Sequence, residues 1–118
     1  YLDRITLSPR ELYGRLRAGG EPPRTSQPPP GDFRRAYELV ASHCDKVLSI
    51  ELSSRLSGTF QAAQSAAREI PGHRVSVLDT LNASAGQGLI AMAAAERALA
   101  GGDFAAVEAV ARDAMTRT

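Results

Sequence analysis

Between Lys46 and Ala63 the chain reads KVLSIELSSRLSGTFQAA, and four side-chain alcohols, Ser53, Ser54, Ser57 and Thr59, crowd a turn between an apolar run and an Ala-rich stretch. A strand that feeds a helix through such a turn leaves the first backbone N–H groups of that helix unpaired, with the positive end of the helix dipole behind them. Alcohols and N–H groups converging at one point form a seat for an anion, and Gly58 lets a ligand approach the backbone closely. No lysine stands in the turn. A carboxylate or a neutral oxygen therefore suits it better than a polyphosphate, for which a Walker-type lysine is expected.

A second polar group is Thr25-Ser26-Gln27, embedded in EPPRTSQPPPG from Glu21 to Gly31. Five prolines there exclude helix and central strand and leave a stiff loop, which composition alone reads equally well as a linker. A rigid loop holds a ligand at low entropic cost. Periodicity does not say whether this loop meets the serine turn.

Other chemistries fit less well. Nucleophilic catalysis needs a base within reach of a serine, but His43 stands near a helix end and His73 in the turn Pro71-Gly72-His73, both expected in solvent. The nucleophile elbow G-x-S-x-G is absent, and no His, Cys, Asp or Glu spacing matches a metal-ligand pattern. Gly86-Gln87-Gly88-Leu89-Ile90-Ala91 has the form G-x-G-x-x-A, yet several residues separate it from Asp79, so the tight strand-to-helix turn of a dinucleotide site is missing. Small residues that let a helix sit close to the sheet or to a bound chain are the better reading. Arg55 is expected to be solvated rather than to face an acidic ligand or a partner. Cys44, the single cysteine, reads as a small buried apolar group in a reducing, cytoplasmic compartment.

The elements that must position these groups follow from pattern. Tyr1 to Leu7 reads as a short opening segment, the tail of a strand. Ser8-Pro9-Arg10-Glu11 is a capping box with proline at the first helical position, and its helix carries Leu12, Tyr13 and Leu16 on one side before Gly19-Gly20. Phe33, Ala36, Tyr37, Val40, Ala41 and Cys44 recur at helical steps. Lys46 to Leu52 is apolar enough for a strand covered on both sides. A helix that buries Phe60, Ala63, Ala67 and Ile70 runs to Pro71-Gly72, and Arg74 to Asp79 is a second strand. A helix from about Ser84 to Ala100 follows, then one capped by Asp103 with Phe104, Val107, Val110, Ala111 and Ala114 on one side. Strand, helix, strand, helix predicts parallel strands with a right-handed crossover, in an α/β layered fold with a mainly parallel sheet flanked by helices. Ligands in such sheets sit beyond the carboxyl ends of the strands, where Ser53–Ser57 and Thr80–Ser84 both fall.

Composition narrows the partners. The 118 residues suit one domain, and 14 basic against 13 acidic residues, a net charge of +1, form no basic stripe, which argues against nucleic acid. The longest apolar run, Leu89 to Ala95, is far short of a membrane span. The chain starts at Tyr1 without methionine and ends soon after a helical pattern, as an excised piece of a larger protein would.

Thr25-Ser26-Gln27-Pro28, then Leu52-Ser53-Ser54-Arg55-Leu56-Ser57-Gly58-Thr59-Phe60-Gln61, then Asp79-Thr80 with Ser84-Ala85-Gly86-Gln87-Gly88, resemble in order and spacing the DegV family of fatty-acid-binding proteins, which has the EDD fold. The resemblance covers nearly all of the chain. It implies two α/β domains, of which residues 1–118 would be part of the amino-terminal one. It also implies a bound long-chain fatty acid with its carboxylate on these alcohols, and a separate fatty acid kinase subunit that converts that carboxylate to an acyl phosphate. By this resemblance Thr25 and Ser57 hydrogen-bond the carboxylate, backbone groups of Gly58 and Thr59 assist, and Ser26, Ser53, Ser54 and Ser84 support. The protein would then be a non-catalytic carrier with no cofactor besides its ligand. Three departures stand out: the opening strand with its Thr-Asp-Ser segment is missing, the second domain is missing, and Pro29 replaces a small polar residue.

The magnitudes suit a lipid. A charge at a helix start gains roughly 0.3 to 2 kcal/mol, while each buried methylene contributes about 0.8 kcal/mol, so the tail supplies affinity and the alcohols orient the head. Candidate residues for the tail slot are Ile50, Leu52, Leu56, Leu89, Ile90 and Met92, each of which ordinary core packing would also explain. The alternatives are an enzyme acting on a small carboxylate or acyl group with a base from a missing domain, and an α/β module with no ligand.

Overall fold

The computed structural model describes residue 2 and residues 5–118. The strand tail expected over Tyr1 to Leu7 falls partly outside the described residues, at positions 1, 3 and 4. Ile5 and Thr6 form a turn, with the Thr6 N–H donating to the Leu2 carbonyl at 2.9 Å.

Helix α1 (Pro9–Ala18) begins as its sequence predicts. The Ser8 hydroxyl accepts the Glu11 N–H at 3.3 Å, the Glu11 carboxylate accepts the Ser8 N–H at 2.9 Å, and Pro9 takes the first helical position. Gly19 closes it at φ 82, a left-handed value that suits glycine. The apolar side of α1 finds no core, however: Tyr13 is 61% exposed and Leu16 47%.

Helix α2 (Pro30–Ala41) starts earlier than the phenylalanine periodicity suggests, because Pro30 is itself preorganised for a first helical position. It buries Tyr37 and Ala41. Beyond its end the chain turns along the surface, and this corrects the expectation for Cys44: the thiol is exposed and donates to the Val40 carbonyl at 3.2 Å. The end of α2 is held by Arg74, whose guanidinium donates to the carbonyls of Ala41, of Cys44 at 2.6 Å and of Asp45 at 3.1 Å. A cation on the last helical carbonyl and on those of the turn just beyond it is favourable on both hydrogen-bond and dipole grounds. Arg74→Ala is expected to lower stability by about 2 kcal/mol, and Arg74→Lys to recover only part of it, since an ammonium lacks the planar fork that reaches several carbonyls. Urea unfolding of the three proteins measures this, and equal midpoints would show that the contacts contribute nothing.

Strands β1 (Val47–Glu51) and β2 (Val75–Asp79) pair in parallel, Val47 opposite Val75 and Glu51 opposite Asp79, with helix α3 (Thr59–Glu69) and a short 3-10 turn, Pro71–His73, between them. Helices α4 (Ser84–Leu99) and α5 (Phe104–Thr116) follow. This is the predicted α/β architecture, a small parallel sheet flanked by helices. The strand alternation assigns its two faces. Leu48, Ile50 and Leu78 pack with Ile90, Ala94, Ala111 and Ala114 of α4 and α5. Val75 and Val77 pack on the other side with Tyr37 of α2 and with Ala63, Ala66 and Ala67 of α3. Alanines at these positions let α3 lie close to α2 and β2, whereas Phe60, expected inside, stays half-buried at the start of the helix. On the same side the Tyr37 hydroxyl donates to Ser49 Oγ at 2.7 Å, and Ser49 Oγ to Glu51 Oε1 at 2.6 Å. Burial pushes the Tyr37 hydroxyl above its ordinary range, so it remains a donor. Asp103 caps α5 as expected, accepting the Ala106 N–H at 2.8 Å.

Candidate functional site

The serine turn leaves the carboxyl end of β1, and its shape is set by Ser53. That residue is 3% exposed. Its carbonyl accepts the N–H groups of Leu56 at 3.0 Å and Ser57 at 3.2 Å, and its hydroxyl accepts the Arg55 N–H at 3.2 Å. Ser53 thus folds the turn and keeps its alcohol on backbone. Ser57 lies at the mouth of α3, half-buried, with its Oγ 2.8 Å from Thr59 Oγ1 and accepting the Thr59 N–H at 3.2 Å. Thr59 itself is buried. Gly58 caps the helix without any side-chain hydrogen bond; Ser57 takes the Thr59 N–H, which leaves the N–H groups of Phe60 and Gln61 to the positive end of the helix beside the Ser57–Thr59 alcohol pair.

The proline-rich loop comes to this same point. A Cβ placed on Gly58 would stand 2.7 Å from Gln27 Nε2 and 2.8 Å from Gln27 Oε1, nearer than real side chains allow. The space that a glycine leaves at 58 is therefore filled by Gln27 instead of lying open to a ligand. Thr25 and Ser26 are exposed on that loop. Gly58→Ala is expected to push Gln27 aside at a cost of about 1 kcal/mol, the lower end for overpacking because the obstruction is the tip of a flexible side chain. The loop should then separate from α3, and trypsin should cut after the exposed Arg24 several-fold faster than in the parent protein. An unchanged cleavage rate would mean that Gln27 does not hold the loop.

The second strand-end loop, residues 80–84, is laced to the first. Thr80 is 1% exposed, and its hydroxyl donates to the Glu51 carbonyl at 2.8 Å and accepts the Asn82 N–H at 3.2 Å. The Asn82 carbonyl accepts the Ser53 N–H at 2.8 Å. Asp79 Oδ1 accepts the Ser54 N–H and the Leu81 N–H, each at 3.1 Å. Leu81 and Ser84 sit at φ 54 and φ 53, left-handed values that cost a non-glycine residue roughly 1–2 kcal/mol. Ser84 opens α4 with its side chain exposed.

The remaining sequence candidates are placed as follows. A Cβ on Gly86 would stand 2.8 Å from Asn82 Oδ1, while Gly88 faces open space, so the glycine pair fits the loop before α4 closely at one position only. Gln87 donates to the Ile50 carbonyl at 3.0 Å. Arg55, His43 and His73 are exposed. Among the described residues, no three His, Cys, Asp or Glu side chains gather as metal ligands would. Of the candidates for the tail slot, Ile90 is 0% exposed in the core between β2, α4 and α5, and so is unavailable to a ligand. Leu56, Leu89 and Met92 are exposed at 70%, 59% and 60%, Leu52 is half-buried, and Ile50 lines a groove of about 520 Å³ together with Leu48, Ala94, Phe104 and Val107. Thr25, Ser57 and Thr59 do not line that groove. Sequence reasoning missed Asn82 and the ties made by Asp79 and Thr80. A strand-terminal Asp-Thr followed by an Asn is a signal for such turn bonding.

Comparison with known proteins places this arrangement. Residues 1–118 match the model of the DegV family, described as an uncharacterised protein family. This chain belongs to the DegV family. A DegV domain-containing protein of Deinococcus radiodurans is 46% identical over 101 residues, which are 86% of this chain and 36% of the relative. A DegV family protein from Thermus thermophilus, described as binding fatty acid, superposes with a TM-score of 0.89 at 40% identity over 98% of this chain and 41% of its own length. DegV of Bacillus subtilis, described as a fatty acid binding protein, gives a TM-score of 0.80 at 32% identity over 97% of this chain and 40% of its own. The chain thus spans little more than a third of the length of the relatives it matches. No helix among the described residues is long and apolar enough to cross a membrane.

Proposed function

We propose that this DegV domain holds a long-chain fatty acid with its carboxylate at the junction of the proline-rich loop and the start of α3. The observation that carries the reading is the contact of Gln27 with Gly58, which brings the Thr25 loop beside the Ser57–Thr59 alcohols. Thr25 Oγ1 and Ser57 Oγ are the donors to the carboxylate, and the backbone beside Gly58 adds the positive end of α3, whereas the Thr59 N–H, expected to assist, is taken by Ser57 Oγ. Ser26, Ser54 and Ser84 lie around the rim, and Ser53 shapes the turn. The solved relatives described as fatty acid binding support the ligand class. Leu56, Leu89 and Met92, apolar yet exposed, supply greasy surface near the strand ends, and a second domain, with residues 1–118 as part of the first, covers the tail. The protein works in the cytoplasm as a non-catalytic carrier that presents the acid group to a fatty acid kinase subunit, which makes the acyl phosphate.

Native mass spectrometry of the intact protein purified from bacteria tests this. An added mass equal to one long-chain fatty acid is expected, with no hydrolysis of acyl esters above background. An empty protein that also fails to take up palmitate would reject the reading, and ester turnover would favour an enzyme.

A further inference from the structure

The two loops at the strand ends are tied together mostly by neutral groups: the Thr80 hydroxyl, the Asn82 carbonyl and backbone amides. The charged member is Asp79. Its Oδ1 accepts one N–H from the serine turn, at Ser54, and one from the 80–84 loop, at Leu81, both at 3.1 Å. Leu81 is also one of two residues held in left-handed backbone there, a conformation that persists only where surrounding structure enforces it. We propose that Asp79 is a positioning residue for ligand capture: its carboxylate clamps the serine turn to the 80–84 loop and so sets the spacing of Ser54 and Ser57 against Ser84.

This assignment rests on the fatty-acid reading of the site, but Asp79 makes no ligand contact in it, because an ionised carboxylate has no proton to donate to a fatty-acid carboxylate and repels it. Burial acts against ionisation of Asp79, yet the Ser54 and Leu81 donors and the nearby Arg55 charge together hold its carboxyl below the usual range. A depressed folded value means that the clamp stabilises above the unfolded aspartate pKa and is lost as pH falls through the folded one. An asparagine Oδ1 can accept the same two N–H bonds without the charge. It would also remove a negative group close to the bound carboxylate.

Titration of palmitate into the intact protein at neutral pH, with Asp79→Ala and Asp79→Asn, makes the test. Asp79→Ala should bind about tenfold more weakly, because both clamp hydrogen bonds lose their acceptor, whereas Asp79→Asn, which keeps an acceptor in place, should bind as well as the parent protein or more tightly. In the ligand-free protein, amide NMR on acidification should show Ser54 and Leu81 moving with one shared midpoint, and neither should titrate in Asp79→Asn. Equal affinity in Asp79→Ala, or separate midpoints for the two amides, overturns the clamp. If the parent protein takes up no palmitate while the amides still titrate together, the fatty-acid reading fails, and Asp79 is then a structural tie with no part in capture.

Discussion

Ile90→Ala is expected to lower the stability of the domain by about 3 kcal/mol. Ile90 is fully enclosed, and its neighbours Leu78, Ala94, Ala111 and Ala114 come from β2, α4 and α5. Removing three carbons there forfeits their transfer free energy and leaves a void that three separate elements cannot all move to fill. Alanine neighbours aggravate this, because their short side chains have no rotamers with which to reach into the gap. Ile90→Val should cost only about 1 kcal/mol. Urea unfolding gives both numbers, and a loss below about 1 kcal/mol for the alanine variant would contradict the packing described. The result also bears on ligand binding: Ile90 stood among the residues that could line a tail slot, and a core role means that added fatty acid should not rescue the variant selectively.

Thr25→Ala and Ser57→Ala should each weaken fatty-acid binding by about tenfold to a hundredfold, the range expected when one hydrogen bond to a charged group is lost. The two differ in what else they disturb. Thr25 is exposed, so its truncation should leave stability within about 0.5 kcal/mol of the parent, and any affinity change belongs to the ligand. Ser57→Ala also removes the partner of the Thr59 hydroxyl and N–H, so it should shift the melting temperature modestly as well. Because both alcohols would grip one carboxylate, the double variant should lose less than the sum of the single losses. Fluorescent fatty-acid displacement measures all three. Unaltered affinity in Thr25→Ala would detach the proline-rich loop from the site.

Local chemistry was what the sequence displayed best. Ser8 with Glu11, Pro9 and Asp103 mark helix starts through bonds within a few residues of themselves, and those bonds are in the structure. The two β-branched runs separated by an Ala-rich helix gave the parallel pair and its crossover, because that spacing leaves few other topologies. Contacts between distant segments were not visible. Gln27 reaches Gly58 only because α2 and α3 pack side by side, and Arg74 reaches the end of α2 only because β2 runs beside β1. Cys44 illustrates the opposite error: its apolar character and helical phase suggested burial, but α2 stops at Ala41 and the phase stops with it. Ile90 and Met92 share one helix and similar hydropathy, yet one is enclosed and the other open. The packing of α4 against both β2 and α5 decides between them.

The junction of Gln27 with Gly58 brings together segments that lie on either side of α2 and β1. On the proposed reading, neither half is a receptor until the helices have docked. A fatty acid bound there would act as a thermodynamic witness to correct assembly: it would raise the unfolding midpoint with the logarithm of its free concentration, and damage anywhere along the α2–α3 seam would register as lowered occupancy, even with every head-group donor intact.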